Sequence, residues 1–348
     1  MKKRILYIGW VGFGNHGDDI CRDVFIRRFK DRAAEASIDL EVTALFPSAF
    51  DELALARLRP DLVVLGAGSL FELIYLKPLV LAQQYGIPTA IWGSGVDGLS
   101  AEPDVPHDLA YAIRQVVNQA GAIGLRGPYT RMVLEKVGAA HPYLMVTGDP
   151  GLLWEKKTHG EANPPSGSPR TIAINWGTAR NNVMGGDERQ VADALAQFLQ
   201  NIKKQYQLLI YPMWHADLEP CLRLADMVGS RDVCVLEEVP SPEELMAIYE
   251  KSVCSINMKL HANIFSAAAG CPFISLAYRW KCIDFAQSVE CDEWVLPFSE
   301  PGLAAKLQRS FDKLLSTRDS VREHLKTQVN QAREKLGQLE NEIWGLLQ

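Results

Sequence analysis

The chain contains no Cys-x-x-Cys pair, no run of basic residues and no apolar stretch that approaches a membrane span. Seven cysteines, six of them beyond residue 220, form neither a zinc spacing nor a disulfide framework. Several sit in apolar strand or helix patterns, so they read as reduced, partly buried thiols of a cytoplasmic protein. A formal charge of −6 without a basic cluster argues against nucleic acid as a partner. Three cations at residues 2–4 precede only the short apolar run 5–8. That run is too short for a signal-peptide core, and so few charges imply peripheral membrane contact at most. No compact group of His, Asp and Glu shows ligand spacing, so no metal is expected. Nothing in the sequence sets the oligomeric state.

What remains is an ordinary globular composition, 47% hydrophobic and 22% charged, over 348 residues, enough for two domains with their own cores. In the first half, apolar strand signals at 4–9, 40–45, 62–65, 89–93 and 122–125 alternate with helical patterns at 20–36, 75–85 and 109–120. A second series places strands at 171–176, 207–211 and 233–236 between helices at 188–204, 220–228 and 242–251. Apolar strands separated by amphipathic helices predict parallel sheets covered on both faces. The polar, Pro/Gly/Ser-rich stretch 155–169 reads as a linker. The expected organisation is therefore a first doubly wound, Rossmann-like α/β domain at 1–154 and a second at 170–300, with ligands in a cleft between them. Residues 301–348 read as helices, broken near 317–319, that pack back on the first domain.

Chemistry-bearing residues gather at the predicted strand ends. The stretch 253–281 reads as a buried strand ending in Met258-Lys-Leu-His, a small-residue helix closed by Gly270, and a second strand that delivers Tyr278 and Lys281. A cation and an acid/base group at the carboxyl end of a parallel strand suit binding and proton transfer on an anionic substrate. Near the start, Gly12, Gly14 and Gly17 match the spacing of a dinucleotide fingerprint. A nicotinamide cofactor is disfavoured, because the second strand ends in Phe-Pro without an acid for ribose. Asp18 and Asp19 at the helix start would also repel a pyrophosphate. Asn15 with those carboxylates suits sugar hydroxyls, unless Asp18 simply caps the helix. Leu65-Gly-Ala-Gly-Ser-Leu, with Ser69 and nearby Glu72, and Trp92-Gly-Ser-Gly-Val-Asp repeat the glycine-rich turn after a strand. Trp176 and Trp214 stand at strand ends, where aromatic faces stack on a sugar ring or pack in a core.

These segments, with Leu125-Arg-Gly-Pro-Tyr-Thr, Gly148-Asp-Pro-Gly-Leu and Ala277-Tyr-Arg-Trp-Lys, resemble the polysaccharide pyruvyl transferase family. The resemblance runs from residue 9 to about residue 285 and implies the two-domain glycosyltransferase-B architecture. It implies transfer of pyruvate from phosphoenolpyruvate, as donor substrate and without a further cofactor, to saccharide hydroxyls as a ketal. The acceptor would be a saccharide or lipid-linked oligosaccharide in exopolysaccharide or cell-surface glycan synthesis. Carried over by position, His261 falls on the family's catalytic histidine, Lys259 on its basic residue and Arg126 on the arginine of its Leu-Arg-Asp element. Two positions depart: Lys259 and Gly127 stand where the family usually has arginine and aspartate. Lysine offers a point charge in place of a bidentate fork.

The expected site therefore comprises His261, Lys259 and Arg126 as catalytic residues. Arg180, Lys281, Leu260 and Tyr278 are expected on the donor; Gly14, Asn15, Asp18, Asp19, Ser69, Glu72 and Trp214 on the acceptor. An imidazole with an ordinary pKa of ~6.5, raised by a bound dianion, suits the proton transfers. Two rivals use the same architecture: a nucleotide-sugar glycosyltransferase holding ribose with Glu237 or Glu238, and a non-catalytic saccharide-binding protein.

Overall fold

A computed structural model describes residues 2–48, 50–155, 170–229 and 233–348. The expected linker, apart from Glu155, lies outside the described residues. The chain divides into two compact units, Met1–Leu153 with Gln331–Gln348, and Trp154–Asn330.

The first unit alternates β1 (Lys2–Ile8), α1 (His16–Glu35), β2 (Asp39–Leu45), α2 (Glu52–Leu58), β3 (Leu62–Leu65), α3 (Leu73–Gln84), β4 (Thr89–Ser94), α4 (His107–Gln119), β5 (Ala122–Leu125), α5 (Pro128–Lys136) and β6 (Met145–Val146). Its strands form one parallel sheet in the order β2-β1-β3-β4-β5-β6. Every residue of β3, β4 and β5 is buried, as a sheet covered on both faces requires. The order reverses between β1 and β3, and ligands of doubly wound sheets bind at the carboxyl ends beside such a reversal.

The second unit repeats the plan with β7 (Thr171–Asn175), α6 (Glu188–Ile202), β8 (Gln207–Tyr211), α7 (Leu218–Val228), β9 (Val233–Val235), α8 (Pro242–Lys251), β10 (Ser252–Asn257), α9 (Leu260–Ala268), β11 (Phe273–Ala277), α10 (Trp280–Ser288) and β12 (Val295–Pro297). Its parallel order, β12-β11-β10-β7-β8-β9, reverses between β7 and β10. Both sheets are thus doubly wound α/β. The short elements α2, α5, α10, β6 and β12 carry too little periodicity to be read from sequence.

The terminal segment is divided between the two units. It breaks at Thr317, between α11 (Leu303–Ser316) and α12 (Arg318–Gly345). α11 belongs to the second unit, not the first: its buried Leu303, Leu307, Phe311 and Leu314 face α6, and Phe311 meets the rings of Phe198 and Tyr206 edge-on. Only residues from 331 onward group with the first unit. There Glu340, nearly fully buried, receives a bidentate bond from Arg28, at 2.5 and 2.8 Å. No described helix is long and apolar enough to cross a membrane.

Candidate functional site

At the carboxyl edge of the first sheet, the turn after β1 needs positive φ at Gly12 (93°) and Gly14 (66°), which glycine adopts without steric cost. Asn15, not Asp18, is the N-cap of α1: its Oδ1 accepts the Gly17 N–H at 3.2 Å. Asp19 pairs with Arg22 at 2.7 Å one turn on. Asp18 lies against the next turn, 3.2 Å from where a Gly68 Cβ would sit. Gly66 is compelled by packing, since a Cβ there would fall 2.1 Å from Cζ of the buried Tyr7 ring. The Tyr7 hydroxyl accepts the Ala67 N–H at 3.1 Å, and burial holds its pKa well above the ordinary value.

Arg126, at the end of β5, is completely buried. It donates from Nη1 to Ser69 Oγ at 3.1 Å and from Nη2 to the Val96 carbonyl at 2.6 Å. Its guanidinium fills the space a Gly95 side chain would need, 2.2 Å from that Cβ to Cζ. The arginine expected to be catalytic therefore ties the turns after β3 and β4 together, and Ser69 is its partner. Asp149 is equally buried and organises its own turn, accepting the Gly151 N–H at 2.9 Å and the Cys21 thiol at 3.7 Å. Burial, then Asp149, pushes that thiol's pKa well up. Glu72 opens α3 on the exposed rim.

In the second unit the reversal between β7 and β10 carries Lys259 and His261. Backbone N–H of Lys259 donates to Asn175 Oδ1 (2.9 Å), and its Nζ donates to the Thr178 carbonyl (2.6 Å) and pairs with Asp217 Oδ1 (2.9 Å). Asp217 is fully buried and also accepts the Thr178 N–H at 3.0 Å. Gly177 makes this possible: a Cβ there would lie 2.2 Å from Asp217 Oδ1 and 2.8 Å from Lys259 Cε. Glu188, the first residue of α6, completes the loop by accepting from Ala179 N (2.6 Å), Asn181 N (2.9 Å) and Thr178 Oγ1 (2.9 Å). These bonds hold Arg180 and Asn181 at positive φ, 53° and 57°, and the Arg180 guanidinium lies 5.8 Å from the Trp214 ring centroid. Asp217 and Glu188 were missed by sequence reasoning. Glu188 carried a helix-start signal, but nothing local showed either acid reaching back to residues 178–181.

His261 is the second residue of α9, half-buried and stacked over Phe265 one turn later, centroids 5.9 Å apart. Leu260 beside it is buried. Beneath the helix, Tyr249 Oη donates to the Ala262 carbonyl (2.9 Å), while Tyr211 Oη lies 2.6 Å from Tyr249 Oη and 3.2 Å from Asn257 Oδ1. Burial raises both phenols well above their ordinary range, so neutral hydroxyls fix the height of α9. Lys281 stands over the buried Tyr278 ring, Nζ 4.9 Å from its centroid, at the head of α10. Trp176 is a core residue stacked on Phe298, whereas Trp214 remains half-exposed beside His215. Glu237 and Glu238 are exposed.

Two parallel six-stranded sheets with helices on both faces and loaded carboxyl edges define the class: the glycosyltransferase-B fold shared by glycosyltransferases and sugar-nucleotide epimerases. Staphylococcus aureus MnaA, solved with UDP, has this fold at TM-score 0.64 and 12% identity, over 93% of this chain and 90% of that one. Neisseria meningitidis UDP-GlcNAc 2-epimerase, solved with UDP-GlcNAc, superposes at 0.60 with 13% identity, over 98% and 100%. The trehalose 6-phosphate synthase of Burkholderia multivorans superposes at 0.61 with 10% identity, over 99% of each chain. Identities this low establish the fold alone. Within that class, the family model for polysaccharide pyruvyl transferase matches residues 15–279, and the chain belongs to that family and is a transferase. No curated protein matches the sequence significantly.

Proposed function

We propose that the protein transfers the pyruvyl group of phosphoenolpyruvate to two hydroxyls of a saccharide, forming a ketal during cell-surface or exopolysaccharide synthesis. The observation that carries this reading is the head of α9, which sets His261 beside a cation-bearing loop at the reversal point of the second sheet. Amide N–H groups of a helix start and nearby cations suit a ligand with a carboxylate and a phosphate. Arg180 and Lys281 supply the cations. The Lys259 charge is already matched by Asp217, so Lys259 shapes the loop that presents Arg180.

In the reaction, the His261 imidazolium protonates the methylene carbon and one acceptor hydroxyl attacks the adjacent carbon, its proton returning to the imidazole. Phosphate leaves with the electrons of its C–O bond, and the second hydroxyl closes the ketal as its proton passes to the departing phosphate. Carboxylates on the first sheet's edge, Asp18 and Glu72, hold the acceptor. Six of the seven cysteines are buried as thiols, which supports a cytoplasmic setting.

The test pairs thermal shift with phosphoenolpyruvate or UDP-GlcNAc with phosphate release in the presence of lipid-linked and free oligosaccharides. Stabilisation by phosphoenolpyruvate and saccharide-dependent phosphate release are expected. Stabilisation by the nucleotide sugar alone would overturn the reading in favour of glycosyl transfer.

A further inference from the structure

We infer that the first unit carries a saccharide-stacking platform built from Trp10, Phe13, Phe46 and Tyr75. Naming its ligand as the acceptor rests on the proposed reaction; the platform itself rests on geometry. Phe13 stacks on Trp10, centroids 4.1 Å apart and planes 23° from parallel. Phe46, just past the end of β2, meets both rings edge-on at 5.2 and 5.0 Å. Tyr75, in the first turn of α3, meets Phe46 at 5.8 Å. The ends of β1 and β2 and the first turn of α3 thus converge on one aromatic cluster beside the reversal point of the sheet.

The cluster runs from core to surface: Tyr75 is buried, Trp10 and Phe46 are half-buried, and Phe13 is 40% exposed, whereas Phe25 and Phe29 of the same unit are fully buried. Stacking on Trp10 and Phe46 covers part of the Phe13 ring and leaves the rest of it open to solvent, where a ligand face can lie. The space around the two glycines that flank Phe13 is open: a Cβ at Gly12 or Gly14 would meet nothing within 4 Å.

The chemistry of the rim selects the ligand. Glu72 stands at the N-cap of α3 one turn before Tyr75, and Asp18 lies against the Gly68 turn that leads into the same helix. Burial raises the Tyr75 phenol, and the two carboxylates raise it further. Those charges repel a phosphate, so a nucleotide is disfavoured although its base would stack. The rings form a flat stack with edge-on supports, not the box of faces that encloses a quaternary ammonium. A pyranose satisfies both features: its C–H face lies on the aromatic plane, and its hydroxyls donate to carboxylates.

Saturation-transfer NMR on the full chain tests this, with methyl β-D-galactopyranoside, methyl β-D-glucopyranoside, methyl α-D-mannopyranoside and N-acetylglucosamine as probes. At least one should bind with its ring C–H protons most strongly saturated. Phe13→Ala should weaken that probe about tenfold, equivalent to ~1.4 kcal/mol, while Phe13→Tyr stays within about threefold because it restores the ring. The benzyl side chain is on an exposed turn, and circular dichroism checks that both variants fold. Failure of all four sugars to bind, equal affinity for Phe13→Ala and the native chain, or displacement of the sugar by tetramethylammonium would each overturn the platform. Glycoside binding without any phosphoenolpyruvate thermal shift would sink the donor assignment and leave the platform standing; the reverse pattern would do the opposite.

Discussion

The carboxyl edges of the two sheets share an architecture and differ in charge. The first presents glycine turns, carboxylates and exposed rings, and buries its one conspicuous cation, Arg126, between loops. The second presents cations and a helix start, and buries an acid, Asp217, beneath Lys259. In both, the charged residue that stands out in the sequence also ties neighbouring loops together. On the proposed function, Phe13 on one edge and Arg180 on the other face ligand, the first edge taking a neutral, hydroxylated ligand and the second an anion.

The largest expected effect breaks the second edge chemically. His261→Ala should lower kcat by about 10²–10⁴-fold, the usual contribution of a positioned acid/base group, while the phosphoenolpyruvate thermal shift persists. His261 is half-buried and stacks on Phe265, so urea unfolding and circular dichroism are read alongside the rate to show that the variant folds. A rate close to the native one would remove His261 from the proton transfers.

Next comes the ion pair. Asp217→Ala leaves Lys259, only 17% exposed, without its acid. Stranding such a charge should cost about 3 kcal/mol in urea unfolding, the lower end for a broken buried pair. Adding Lys259→Met should restore most of that stability, since both charges are then gone, but not donor affinity, because the Thr178 carbonyl loses its donor. A double variant as unstable as Asp217→Ala alone would show that Asp217 matters through its bond to Thr178 N.

The glycines under the two edges sharpen the contrast. Gly66→Ala drives a methyl into the ring of Tyr7, which is locked in the core; Gly177→Ala drives one into the Asp217 carboxylate, which gives way only by loosening its bonds to Thr178 N and Lys259. Gly66→Ala should cost about 2 kcal/mol, typical of overpacking, with donor binding intact. Gly177→Ala should cost less in unfolding yet reduce the phosphoenolpyruvate shift more. Equal behaviour of the two would mean that Gly177 does not serve the ion pair.

How far the sequence could be read follows from how local each cause is. The strands were legible because burial on both faces leaves an unbroken apolar run, as at Leu62–Leu65. The helical nature of 303–345 was legible from its spacing, but its division between units was not, since that depends on Phe311 finding Phe198 and Tyr206. Arg126 stood out in its motif, yet its inward orientation depends on Ser69 and Val96, 57 and 30 residues away. The same holds for Lys259 and Asp217. The aromatic platform escaped notice because Trp10 and Phe13 suggest a ligand surface only once Phe46 and Tyr75 are brought beside them.

The smallest effect concerns Asn15, which bears on both capping and acceptor binding. Its Oδ1 accepts the Gly17 N–H, so Asn15→Ala should cost about 1 kcal/mol in urea unfolding. Serine caps nearly as well, so Asn15→Ser should recover most of that loss. The two roles then separate. If Asn15 only shapes the first edge, serine restores glycoside affinity together with stability. If its amide N–H₂ also donates to a sugar hydroxyl, serine restores stability and leaves affinity reduced, because its oxygen accepts the capping N–H but its shorter side chain offers one proton in place of two. The second outcome is expected, since a flat aromatic stack fixes the plane of a sugar and leaves its rotation to the polar groups on the rim.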